Sequence, residues 1–335
     1  MRYLFVLFLP LALFVFPTSS DTGGSNQNEK CYYCHKLKAS YKVVHKIMEE
    51  GCEVCHEPLN TSHPGDEPGF KLVAEGPDLC LICHDLGDAK HTHPPASEDC
   101  LICHSPHSSQ YPSLLVDDPP SSLCYMCHEN VTEKAKDIHL PVKNGQCQLC
   151  HDPHRSANNA LLRSEGPALC LSCHNKTMGD DTVIITNIAQ LVSEKKYVHG
   201  AIEMSGCIGC HTPHASKYPG LLVAAFPKGA YTASAPENFE LCFSCHDSQL
   251  ITATKTNSAT NFRNGEENLH FKHVHGNKGR SCTLCHNVHA ADNVHLINES
   301  VTFGKWQMQL NYKSDPQGGS CLPGCHGKAT YNRIL

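Results

Sequence analysis

The sequence predicts a mostly irregular chain with short α-helices and low secondary-structure content, and three observations carry that expectation. All 22 cysteines of the 335 residues fall in eleven short segments of the form Cys-x-x-Cys-His or, once, Cys-x-x-x-Cys-His. Large side chains are scarce: 11 Phe, 11 Tyr and a single Trp, Trp306, are too few to build an ordinary core at this length. The segments also recur as a repeat, with long irregular connections between them that an ordinary domain would not tolerate.

In chain order the first six segments are Cys31, Cys34 and His35; Cys52, Cys55 and His56; Cys80, Cys83 and His84; Cys100, Cys103 and His104; Cys124, Cys127 and His128; and Cys147, Cys150 and His151. The remaining five are Cys170, Cys173 and His174; Cys207, Cys210 and His211; Cys242, Cys245 and His246; Cys282, Cys285 and His286; and Cys321, Cys325 and His326. Two thiols one helical turn apart can each add to a vinyl group of one porphyrin, and the next imidazole then reaches the iron from the same side. Each segment thus reads as a covalent haem c site with its proximal ligand. Disulfide frameworks and zinc ribbons also use Cys-x-x-Cys, but neither requires a histidine directly after every second cysteine. The eleventh site carries one extra residue, with Pro323 and Gly324 inside the loop, so a wider turn must absorb the insertion. About eleven haems are therefore expected, with the polypeptide wrapped around a chain of stacked haems that serves as its core.

Residues 1–20 read as a secretory signal peptide: Met1-Arg2, an apolar run from Tyr3 to Phe16, then Pro17-Thr18-Ser19-Ser20. The run is shorter than the ~20 residues needed to span a bilayer, and no later segment is apolar enough to do so. An exported mature chain without a transmembrane helix follows, in the periplasm, associated with the outer membrane, or outside the cell. The formal charge of −6 understates the acidity of a haem-loaded chain, since each haem adds two propionates. Nucleic acid is excluded as a partner on that ground, and other redox proteins are favoured.

Alternate sites are followed by x-Pro-His, ending at His107, His154 and His214, while the intervening ones are preceded by Leu-Cys. An aliphatic pair follows about ten residues after the haem histidine, as in Leu114-Leu115, Leu161-Leu162 and Leu221-Leu222. The unit is thus a pair of sites, used five times, plus a terminal one. The first pair departs from the pattern, with Pro58-Leu59 and then His63, and the fifth has Val288 before His289. The stretch Thr182 to Lys196 places Ile184, Ile188, Leu191 and Val192 on one face of an expected helix.

In these features the chain resembles the multihaem c-type cytochromes with doubled CXXCH motifs, over nearly all of residues 21–335. That stretch then reads as one undecahaem cytochrome c region of five CXXCH pairs plus a terminal CX3CH site. The resemblance implies electron transfer through stacked haems with two histidine ligands each. It also brings possible partners in view: an outer-membrane porin, or further copies of the chain in a filament.

Of 25 histidines, fourteen remain after the eleven proximal ones, enough to supply every distal ligand. His45, His93, His139, His199 and His275 lie upstream of the second motif of each pair, and His63, His107, His154, His214 and His289 lie downstream. Three residues span at most ~11 Å, so His107 cannot pass around the porphyrin edge from His104 and must serve a neighbour. The same holds for His154, His214 and His289. His295 is the expected eleventh ligand, with His270, His273 and His91 as competitors. The function expected of such an array is an electron-transfer conduit in extracytoplasmic respiration, a carrier rather than an enzyme, because two histidines per iron leave no position for a substrate. A multihaem reductase with one open haem, best placed at the eleventh site, and a subunit of an extracellular cytochrome filament are the alternatives.

Overall fold

The computed structural model of the chain describes residues 27–334 apart from 119, 180–182, 228 and 278. The expected signal peptide lies outside those residues. Within them the backbone is irregular with short helices and small sheets, as the sequence predicts. The longest described helix is Gln27–His35, and most ladders join strands of only two residues. Among the described residues no helix is long and apolar enough to cross a membrane.

The two kinds of motif announced by Leu-Cys and x-Pro-His have different local structures. The third, fifth, seventh and ninth motifs ride on the ends of α-helices, Pro77–Leu81, Pro120–Tyr125, Gly166–Leu171 and Glu240–Phe243. Proline in the first turn of three of these suits a position whose N–H has no partner in the helix. The second, fourth, sixth and eighth open instead as 3-10 turns that start on their first cysteine: Cys52–Val54, Cys100–Ile102, Cys147–Leu149 and Cys207–Gly209. In both kinds the haem histidine closes a helical turn. The amides of His84, His128, His151, His174, His211, His246 and His286 donate to the carbonyl of their own first cysteine at 2.9–3.0 Å. That one turn puts two thiols and an imidazole on a single short segment.

The aliphatic pairs turn out to be turns as well. Ser113-Leu114, Ala160-Leu161, Gly220-Leu221 and His295-Leu296 all have positive φ, between 53° and 75°. Two successive left-handed residues make a tight reversal, after which Leu115, Leu162, Leu222 and Ile297 bridge back to His104, His151, His211 and His286. Buried Ser109, Ser156 and Ser216 brace the reversal by donating to the carbonyls of Leu115, Leu162 and Leu222.

Contacts divide the chain into two units. One comprises Met1–Leu79 with His104–Val116, and the other Cys80–Cys103 with Asp117–Leu335. In the first, Val43–Val44 pairs with Ser108–Ser109, and His56–Pro58 with Phe70–Leu72. The second holds the other ladders: His91–Thr92 with Arg155–Ser156, Asp137–Ile138 with Ala215–Ser216, and Tyr197–Val198 with Ala290–Ala291. It ends in a hairpin, Ser300–Phe303 with Trp306–Gln309, and a three-stranded sheet of Lys313–Asp315, Gly318–Cys321 and Ala329–Asn332.

The side-chain core is uneven. Every buried apolar residue among those described lies at or after Phe239. One cluster gathers Phe239 (0% exposed), Ile251 and Val274, and another Leu284, Val301 and Leu310. The C-terminal part of the second unit therefore has a conventional apolar core around the tenth motif, an exception to the expectation that haem alone supplies the interior. The helix expected at Thr182 to Lys196 is shorter, Ile188–Glu194, because Asn187 caps it by accepting from the Gln190 amide at 2.9 Å. Ile184 falls in a strand paired with Gly179 and is exposed.

Candidate functional site

Nine motif histidines each face one other histidine across a nearly constant gap. His35 faces His63, and His56 faces His107, at 6.1 Å between ring centroids. In the second unit His128 faces His93 (6.1 Å), His151 faces His214 (6.0 Å), His174 faces His139 (6.2 Å), His211 faces His289 (6.3 Å) and His246 faces His199 (6.2 Å). Near the C-terminus His286 faces His270 at 6.3 Å and His326 faces His273 at 6.4 Å. Metal–imidazole bonds of about 2.0–2.1 Å would place the centroids of two rings bound end-on to one metal about 6.3 Å apart. The gap therefore fits one iron between two imidazoles. His84 and His104 belong to different units from His45 and His154, their nearest counterparts in the repeat, and each is described within its own unit.

Hydrogen bonds fix the tautomers that such ligation needs. The Nδ1 atoms of His104, His151, His211 and His286 lie 2.8–2.9 Å from the carbonyls of Ser113, Ala160, Gly220 and His295, the first left-handed residue of each reversal. Those of His45, His93, His139 and His199 lie 2.8–3.0 Å from the carbonyls of Pro106, Pro153, Pro213 and Val288. A carbonyl can only accept, so Nδ1 carries the proton and Nε2 keeps a lone pair for a metal. Burial, followed by the neighbouring histidines His286 and His273, pushes His270 down to about 4 and keeps it neutral.

The same contacts set distal candidates back to back. The amides of His45, His93, His139 and His199 donate to the carbonyls of His107, His154, His214 and His289 at 2.7–3.0 Å. The two-residue ladders next to them are the strands described above. Thus His139, which faces His174, is locked to His214, which faces His151, and two consecutive sites share one clamp.

Ring geometry places other histidines than two of those expected opposite the last two motifs. The ring facing His286 is that of His270, not His275 or His295, and the ring facing His326 is that of His273. His275 instead stacks on Phe271 at 4.2 Å, with Ser234 Oγ 3.5 Å from its Nδ1. His295 acts through its backbone: it occupies the reversal position of Ser113, Ala160 and Gly220, and its carbonyl takes the His286 Nδ1 bond. His91 sits in a strand paired with Ser156. The helix Leu269–Val274 carries both His270 and His273, three residues apart on one face. Asn268 starts that helix, its Oδ1 accepting from the amides of His270 and Phe271.

A profile of the doubled CXXCH motif matches four times, at residues 45–89, 93–133, 139–179 and 199–250, more than half of the chain. The chain belongs to the doubled CXXCH family. It is a multihaem cytochrome. A curated relative, the multiheme cytochrome MtrA of Shewanella baltica (strain OS185), is 28% identical over 224 residues, which is 62% of this chain, and the match spans 63% of that relative's length.

First cysteines meet between the first and second, fifth and sixth, seventh and eighth, and ninth and tenth motifs. Hydrogen-bonded thiols join Cys31 to Cys52, Cys124 to Cys147, Cys170 to Cys207 and Cys242 to Cys282. Burial, then the partner thiol, pushes Cys124 and Cys170 each up to about 11. Within three of the matched doubled motifs the second cysteines are neighbours instead: burial, then Cys127, raises Cys103; burial, then Cys173, raises Cys150; and burial, then Cys245, raises Cys210. Cys285 is likewise raised to about 11 by burial and then by Cys321. Among the described residues no group of three or more His, Cys, Asp or Glu is placed to hold a metal ion by itself.

His63 shows how tightly an imidazole is seated. A Cβ added at Gly69 would lie 2.5 Å from the His63 Cβ, and the Phe70 ring meets His63 edge-on at 5.3 Å. Gly69→Ala should displace His63 from its place opposite His35 and let about one haem bind carbon monoxide; an unchanged ferrous spectrum would show that the loop absorbs the methyl group.

Proposed function

We propose that this chain is an electron-transfer conduit that works through about eleven haems, each held between two histidines, in extracytoplasmic respiration. The observation that supports this most directly is the unbroken contact between consecutive sites from the fifth to the eleventh. First cysteines join the fifth to the sixth, the seventh to the eighth and the ninth to the tenth. Second cysteines and the histidine clamps join the sixth to the seventh and the eighth to the ninth, and Cys285 beside Cys321 joins the tenth to the eleventh. Haem supplies the one-electron Fe(III)/Fe(II) couple.

The chain's own contribution is spacing, tautomer and closure. Facing imidazoles would hold the iron from both sides and leave no place for a substrate, which favours outer-sphere transfer over substrate binding. The eleventh site, the best place for an open iron by sequence, has His273 opposite His326, so the reading is a carrier and not a reductase. We propose His63, His93, His107, His139, His199, His214, His270, His273 and His289 as distal ligands, with His45 and His154 completing the set by their place in the repeat. An exported location, with redox proteins and an outer-membrane porin as partners, follows from reading residues 1–20 as a signal peptide and from the resemblance to the multihaem cytochromes with doubled CXXCH motifs.

The test is a visible spectrum of the ferrous holoprotein with and without carbon monoxide, with haem counted by mass on the same sample. Eleven haems and no spectral change are expected. Carbon monoxide binding worth one haem or more in the unaltered protein would overturn the conduit reading in favour of an enzyme.

A further inference from the structure

The eleventh site differs from the others in its protein surroundings. At motifs five to nine, each facing pair has one described Nδ1 bond to a carbonyl, at 2.8–3.0 Å; at the tenth, His286 Nδ1 lies 2.8 Å from the His295 carbonyl, and His270 Nδ1 lies 3.0 Å from the Thr260 hydroxyl, a weaker acceptor than a peptide carbonyl. At the eleventh, both histidines have one: His273 Nδ1 to the Leu269 carbonyl and His326 Nδ1 to the Gly327 carbonyl, each 2.6 Å. A carbonyl acceptor draws the Nδ1 proton outward and makes the imidazole a stronger donor through Nε2. Stronger donors favour Fe(III), so two such bonds lower the potential more than one.

Burial pushes the same way. Cys325, His326 and Gly327 are exposed, between the strands Gly318–Cys321 and Ala329–Asn332. The neighbouring tenth site sits in the apolar core: Leu284 inside its motif is buried, and Cys282 and Cys285 pack against the two hydrophobic clusters. A low-dielectric setting penalises the extra charge of Fe(III) and raises the potential there. Helix Leu269–Val274 ties the two sites together, since it carries the histidines facing both. The matched family repeats end at residue 250, so this terminal device is an addition to them.

We propose that the site at Cys321, Cys325 and His326 is the low-potential end of the array and the point where a one-electron donor delivers electrons, an inference that rests on the conduit reading. In each turnover the donor loses one electron and the iron between His273 and His326 goes from Fe(III) to Fe(II). That iron returns to Fe(III) as the iron between His270 and His286 is reduced. No bond is made or broken, and His270 and His273, both neutral and protonated only at Nδ1 or bonded there, need not exchange protons.

The ring planes supply a label for the test. His273 and His326 are inclined at 44°, whereas the other facing pairs are within 27° of parallel, so this site should give its own low-spin electron paramagnetic resonance signal. A potentiometric titration of the holoprotein followed by that signal should find it the last to be reduced. His273→Met, which leaves the covalent motif intact, should abolish the lowest-potential step, because thioether ligation raises a haem's potential. His199→Met should move an intermediate step and leave the lowest in place. A tilted-plane signal that reduces in mid-range, or a lowest step that survives His273→Met with the haem count unchanged, would overturn the proposal. Should the methionine variant lose its haem, the titration of the unaltered protein still decides. Failure of the conduit reading would register separately, as carbon monoxide binding to the unaltered protein.

Discussion

His270→Ala should open one iron to carbon monoxide, and His275→Ala should open none. The two residues lie five apart in one segment, but only the His270 ring stands opposite a motif histidine. Loss of an axial imidazole leaves the ferrous iron five-coordinate, so the expected change is one full haem equivalent of carbon monoxide binding rather than a graded effect. His275 stacks on Phe271, and its removal costs contact area without freeing a coordination position. The reverse result, binding in the His275 variant alone, would reinstate the sequence-based assignment and refute the geometry of the helix.

Asn268→Ala should have the largest effect on the fold of any single polar change. Asn268 is 1% exposed. Its Oδ1 caps the helix, while its Nδ2 donates to the carbonyls of Gln249, Leu250 and Ala253 at 2.8–3.2 Å. Loss of the cap and of these buried bonds should cost about 3–5 kcal/mol locally. Amide hydrogen exchange across residues 249–275 measures this directly. Asn268→Ser can restore the cap but cannot reach the carbonyls, and should recover about 1–2 kcal/mol of the loss. Because the helix presents His270 and His273, carbon monoxide binding should rise with exchange in the alanine variant. Unchanged exchange would mean that the apolar cluster of Phe239, Ile251 and Val274 holds the helix without its cap.

What could be read in the sequence follows from which constraints are local. Covalent attachment needs two thiols and an imidazole on one turn, so every candidate haem site is written contiguously. The division into helical and 3-10 motifs is visible in Leu-Cys and x-Pro-His, because each flank starts a different turn. Partner choice is not contiguous: nothing near His139 names His174, and the ladder that sets it pairs strands 78 residues apart, from Asp137–Ile138 to Ala215–Ser216. That His275 does not face a motif histidine has a specific cause. Its distance from Cys282 fits the repeat, but Asn268 starts a helix there, and helical spacing selects His270 and His273. At His295 the reversal uses the position's carbonyl and is indifferent to its side chain. The side-chain core after Phe239 was hidden for another reason: its members are spread over five short elements with no periodicity to betray them.

The facing pairs also follow a rule with an end condition. In most of the described second-unit pairs, the histidine before an even motif faces the next odd motif, as His139 faces His174 and His199 faces His246; the histidine after an even motif faces the previous even one, as His214 faces His151 and His289 faces His211. Such a scheme leaves His35 of the first motif and His286 of the tenth without a facing ring, and the two histidines outside the rule, His63 and His270, stand opposite them. An array built this way changes length in steps of two. Duplicating or excising a complete doubled motif hands every iron a histidine from its new neighbour, whereas excising a single motif strands one. The number of redox centres is thereby a copy-number trait, open to change by unequal recombination with no ligand redesigned, provided that the two terminal caps are kept.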